Sequence, residues 1–175
     1  MNDALLTRIA EALERLAPPT ASCADLAAAP AYIWDGHAVH PVQDFAPVDY
    51  DLLTGIDAQK EALLANSARL ADGYAAHDVL LWGARGTGKS AAVAAVVGKL
   101  QQGGRDIALI QCAIDQLASL PSLFAMLRGS DRPFVLFLDD LGFDEQGAGD
   151  ARALRSLLQG GTAARPANVR LYVTS

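Results

Sequence analysis

The spacing of hydrophobic residues changes along the chain, and each change marks an element. Leu5, Leu6, Ile9, Leu13 and Leu16 recur at helical spacing until Pro18-Pro19 stops them. They predict an amphipathic helix whose stripe faces either its own domain or a partner. In "AYIWDGHAVHPV" (31–42), Asp35-Gly36 lies between two apolar-rich runs, which predicts a β-hairpin with a type I′ turn. His37 and His40 then fall on opposite faces of the second strand, a poor arrangement for a shared metal. "QDFAPVDYDLLTG" (43–55) reads as an irregular linker. From Ile56 the helical period returns through Ala62, Leu63, Ser67 and Leu70, with Gly73 as the stop.

Beyond residue 78 short apolar runs alternate with helical patterns. The runs are "DVLLW" (78–82), "DIALIQC" (106–112), "FVLFLD" (134–139) and "VRLYVTS" (169–175). Between them, Ser90 to Gln101 is helical and ends at Gly103-Gly104. Leu117, Leu120, Leu123, Phe124 and Leu127 mark helical structure expected to break near Pro121. Asp150 is placed as the N-cap of a helix carrying Leu154, Leu157 and Leu158, closed by Gly160-Gly161. Alternating strands and helices predict an α/β fold with a mostly parallel sheet and right-handed crossovers. The strands lack clean alternation, as expected when helices cover both faces of a three-layer sandwich. Two regions are expected: an N-terminal accessory region of helix plus hairpin over 1–45, and the α/β core over 46–175.

Composition narrows the class. At 175 residues and 51% apolar content the chain can bury one substantial core, and 19% charged residues exclude a disordered chain. A net charge of −6 and the lack of any Lys/Arg run give no support to general nucleic-acid binding. The start, "MNDALLTRIAEALERL", is interrupted by Asp3, Glu11 and Glu14, so it does not read as a secretory signal. No segment approaches the roughly 18 apolar residues of a membrane span. Cys23 and Cys112 are far apart and read as small thiols of a reducing, cytoplasmic compartment.

The chemistry concentrates in two places. The first is "GARGTGKS": Gly83, Ala84, Arg85, Gly86, Thr87, Gly88, Lys89 and Ser90, a full match to G-x-x-x-x-G-K-[ST] between a predicted strand and a predicted helix. Its glycines permit a backbone whose successive N–H groups form an anion nest. The helix that begins near Lys89 adds its positive end. Lys89 supplies a mobile charge for the β- and γ-phosphates of ATP, or the β-phosphate of ADP, and the Ser90 hydroxyl is a hard ligand for Mg²⁺. Arg85 sits at a variable position of the loop. It is open to contact with the γ-phosphate, contact with a neighbouring subunit, or plain solvation on the rim.

The second place is Asp139-Asp140, two carboxylates that repel each other at the end of a buried strand. A cation resolves the repulsion: Asp139 holds Mg²⁺ directly or through water, at the strand edge where ligands of open α/β sheets bind. Asp140 faces elsewhere, because neighbouring residues of a strand do not share a face. It is placed to orient or deprotonate an attacking water, or else it serves only as a turn former. Arg165, before Pro166, reads as a surface or interface arginine.

Over roughly Phe45 to Ser175 these motifs resemble the AAA+ branch of P-loop ATPases. "VLLWGARGTGKS" looks like its Walker A motif, "FVLFLDD" like Walker B, and "VRLYVTS" like the strand leading to sensor 1. "GIDAQKEALLANSARL" looks like the segment and helix before the first core strand. The resemblance therefore implies that Gly55 and Ile56 touch the adenine. It is nearest to a bacterial AAA+ family known only as ATP-binding, and more distantly to replication-initiator and helicase-loader ATPases. It implies Lys89 and Asp140 as catalytic residues, Mg-ATP hydrolysis that remodels a partner, and assembly as a homo-oligomer. Two departures stand out. Asp140 replaces the usual Glu and is one methylene shorter. The chain stops at Ser175, so the core is expected to be incomplete, with sensor 1, arginine finger and lid lying beyond it. Such a piece is expected to bind nucleotide weakly and hydrolyse it hardly at all. A nucleotide-responsive scaffold is the alternative, and a P-loop small-molecule kinase a more remote one.

Overall fold

The computed structural model describes residues 25–142, 149, 152–155 and 165–175. The helix expected over Leu5 to Leu16 lies outside them. So do the Asp150 cap and the Gly160-Gly161 stop, although 152–155 are helical and Leu154 is buried.

Six strands form one sheet: β1 (Ala31–Trp34), β2 (Val39–Val42), β3 (Val79–Leu81), β4 (Ala108–Cys112), β5 (Phe134–Leu138) and β6 (Val169–Thr174). Their order is β2-β1-β4-β5-β6-β3, and only the β1–β2 pair is antiparallel. The sheet is thus mostly parallel and carries helices on its faces, in agreement with the α/β class. The hairpin follows the N-terminal segment in the chain, yet in space it extends the core sheet. Ala31 to Trp34 pair in parallel with Leu109 to Cys112.

Local chemistry explains the hairpin's turn, which differs from the type I′ expectation. That turn needs positive φ at both central residues, but only Gly36 takes one, at 99°. The Asp35 carboxylate builds its own turn by accepting the His37 and Ala38 N–H groups, each at 2.8 Å. Those bonds lengthen the connection, so His37 sits in the turn and β2 begins at Val39. His40 lies 2.6 Å from Asp35 Oδ2. The Ala38 N–H, the His40 ring and the His37 N–H together hold the Asp35 carboxyl well below the usual range.

The helices are α1 (Asp57–Ala71), α2 (Lys89–Gln102) and α3 (Leu120–Leu127). Pro121 opens α3, after a 3₁₀ stretch over Ile114–Ser119, rather than breaking a helix. The reason is that the first turn has no intrahelical partner for the N–H that proline lacks. On one face of the sheet α3 packs Leu120, Leu123, Phe124 and Leu127 against Ile110, Leu136, Leu138, Leu171 and Val173. On the other face α1 and α2 pack Leu63, Val93, Val96 and Val97 against Leu109, Val135, Phe137 and Tyr172. Every residue of β5 is buried, which is why its sequence reads as an unbroken apolar run. The Tyr172 hydroxyl lies 2.7 Å from Ser67 Oγ and accepts from Asn66 Nδ2 at 2.9 Å, which pins α1 to β6. Burial raises the pKa of that phenol.

Gly98 marks the closest approach of the linker to the core. A Cβ at this position of α2 would lie 2.5 Å from Pro47 Cγ. Gly98→Ala gains about 1 kcal/mol of helix propensity but overpacks a rigid ring. The expected result is a net loss of about 1–2 kcal/mol, read as a lower urea midpoint at unchanged m-value. A midpoint equal to or above that of the parent would refute the close contact.

Candidate functional site

Strands β3, β4, β5 and β6 all run the same way, so Leu81, Cys112, Leu138 and Thr174 end at one edge of the sheet. There the chain leaves β3 into the loop 83–88 and enters α2 at Lys89. Gly86 and Gly88 take φ of 81° and 83°, a region closed to most side chains, and a Cβ at either would meet nothing within 4 Å. These glycines are therefore required by backbone conformation, and the space around them stays open.

A cleft of about 380 Å³ lies over this loop. It is lined by Arg85, Gly86, Thr87, Gly88, Lys89 and Ser90 from the loop and helix start, by Ala91, and by Asp139, Asp140 and Thr174 from the strand ends. The structure thus brings both aspartates to the loop, although 49 residues separate Ser90 from Asp139 in the chain. Gly83 and Ala84 contribute through their carbonyls, which accept from Lys89 Nζ at 2.8 and 2.9 Å. Thr87 Oγ1 donates to Ala84 O at 2.9 Å and closes the loop on itself. Gly55 and Ile56 are not among the lining residues. Gly55 has φ 78°, and Ile56, at the start of α1, packs partly buried against the α1–α2 core.

The two carboxylates have different surroundings. Asp139 Oδ1 accepts from Ser90 Oγ at 2.7 Å and from Thr174 Oγ1 at 2.5 Å. Three hard oxygens therefore converge, the donor type that Mg²⁺ prefers, so the residues present fit that ion. Asp140 is the only non-glycine described residue with positive φ, at 60°. Its N–H donates to Thr174 Oγ1 at 2.9 Å, and the Leu141 N–H donates to Thr174 O at 2.8 Å. This bend sends the Asp140 side chain across the cleft, where Arg85 Nη2 donates to its Oδ2 at 2.5 Å.

Sequence reasoning did not assign Thr174 to the site. The side chain is 1% exposed and serves both aspartates at once. A hydroxyl residue ending the last apolar run was the available signal, but it has meaning only once β6 is known to lie between β5 and β3. The Arg85–Asp140 contact was likewise not foreseen. Arg165 pairs with Asp78 in the structure, away from the cleft. Cys112 is buried, and desolvation, followed by the charge of Asp115, pushes its thiol up to about 12, which disfavours the thiolate.

A glycine loop between strand and helix, facing an aspartate at the carboxyl ends of a mostly parallel sheet, defines an α/β domain of the P-loop type. Residues 27–175 match the family described as "Protein of unknown function (DUF815)", and the chain belongs to that family. No curated protein matches. Similar solved structures include the Thermotoga maritima RuvB Holliday junction branch migration motor, at 20% identity and TM-score 0.44, over 74% of this chain and 41% of that one. Another is AMPPCP-bound DnaA from Aquifex aeolicus, at 18% identity and TM-score 0.40, over 70% of this chain and 38% of that one. The chain spans about two fifths of the length of each. Among the described residues, no helix is long and apolar enough to cross a membrane.

Proposed function

We propose that this chain is the nucleotide-binding part of an AAA+ ATPase, which uses Mg-ATP binding and hydrolysis to change the conformation of a partner. The observation that carries the reading is the 2.7 Å bond from Ser90 to Asp139 beside an open glycine loop. Main-chain N–H groups of the loop and the start of α2 grip the phosphates. Lys89 exchanges the Gly83 and Ala84 carbonyls for phosphate oxygens. Ser90 and Asp139 would hold Mg²⁺, which when bound offsets phosphate charge. Asp140 orients a water and accepts its proton. Gly55 and Ile56 contact the adenine. Further copies of the chain complete a homo-oligomer in the cytoplasm, acting on a protein client. The charge of −6 leaves nucleic acid a less supported partner.

Phosphate release from ATP, compared between the parent and Asp140→Asn, tests hydrolysis. A drop of about 100-fold or more is expected, the scale of a lost general base. Equal rates would remove hydrolysis. They would leave the second reading, a nucleotide-responsive scaffold with little turnover, which the pairing of Asp140 with Arg85 favours. A change in assembly mass on adding ATP, without phosphate release, would identify that switch.

A further inference from the structure

We propose that Arg85 reads the terminal phosphate by changing partners: it holds Asp140 in the absence of a triphosphate and releases it to bind the γ-phosphate. The inference rests on the nucleotide-binding reading above and adds to it a mechanism for telling ATP from ADP.

The geometry of the cleft carries the argument. Lys89 Nζ is held by two main-chain carbonyls, and Asp139 by two hydroxyls. Among the described residues, the one contact between opposite charges in the cleft is Arg85 Nη2 to Asp140 Oδ2, at 2.5 Å. It joins the loop wall to the strand-end wall, so the guanidinium spans the space that an outer phosphate must enter.

The Asp140 side of this contact is built into the fold. A residue at φ 60° is held there by bonds from its own N–H and from the next N–H to Thr174. An Asp tolerates the left-handed region better than a Glu does, which gives the shorter acid a structural reason. The Arg85 side is free to move: its side chain is 87% exposed, and that of Asp140 is 60% exposed. An ion pair in such surroundings contributes little to stability and is easily exchanged. A terminal phosphate carries more charge than one carboxylate and matches the guanidinium fork. Its arrival therefore attracts Arg85 and repels Asp140, leaving the acid unpaired beside the phosphate. A diphosphate ends one group earlier and leaves the pair intact.

Calorimetry with Mg²⁺ tests the exchange, using ADP and a non-hydrolysable ATP analogue as probes. It compares the parent chain, Arg85→Ala, Asp140→Asn and the double variant. Arg85→Ala is expected to weaken the ATP analogue about tenfold or more, as for one lost charge-assisted bond, and to leave ADP within about twofold. Asp140→Asn is expected to tighten the analogue when Arg85 is present and to have a much smaller effect when it is absent. Equal losses for both nucleotides in Arg85→Ala, or an Asp140→Asn effect that is the same with and without Arg85, would overturn the exchange alone. No heat from either nucleotide with the parent chain would overturn the nucleotide-binding reading and the exchange with it. Both side chains are exposed, and matching melting curves confirm that the variants fold.

Discussion

Lys89→Ala is expected to abolish measurable ATP binding, weakening Kd by about 100-fold or more. The ammonium is a mobile cation of the loop, and each hydrogen bond it would make to a phosphate is charge-assisted, on the order of 1.5–3 kcal/mol. Two such bonds account for the expected loss. The substitution should leave folding nearly intact. Among the described residues Nζ bonds only main-chain carbonyls of its own loop, at 2.8 and 2.9 Å, and those carbonyls can turn to water. Calorimetry and a urea melt separate the two effects. ATP binding unchanged in a folded Lys89→Ala chain would end the phosphate-loop assignment.

Asp139→Asn is expected to remove the dependence of ATP affinity on Mg²⁺ and to lower turnover by about 10²–10³-fold, the scale of losing one preorganised charge at a reacting phosphate. The amide has the same shape and keeps one oxygen to accept from Ser90 and Thr174, so the cleft's hydrogen bonds are largely preserved. What disappears is the negative charge that a hard cation seeks. Titrations with and without EDTA provide the measurement. The parent should lose affinity when Mg²⁺ is removed, and the variant should show nearly equal affinity in both conditions. A variant that keeps the parent's Mg²⁺ response would place the metal ligand elsewhere.

Much of this architecture was legible from local pattern. The buried run from Phe134 to Leu138 could only be a strand covered on both faces, and the glycines of 83–88 needed a conformation that other residues avoid. What local pattern could not supply was strand order. That β6 lies between β5 and β3 follows from long-range packing, and it alone brings Thr174 beside Asp139. The hairpin's place at the sheet edge was hidden for the same reason, since parallel pairing of β1 with β4 leaves no mark in the sequence of either. At Asp35 and Pro121 the elements were located but their geometry differed. In the turn a side chain outcompeted the backbone preference, and at the helix a proline occupied the position where its missing donor costs least.

Thr174 couples parts of the cleft that a reaction would need to move in step. Its hydroxyl ties one acid by the side chain and the next by the backbone, while the following carbonyl, Ser175 O, accepts from the Gly83 N–H at 3.2 Å. The end of this strand therefore acts like the fulcrum of a rocker. A small tilt there would carry Asp139, Asp140 and the entrance of the glycine turn through one common arc.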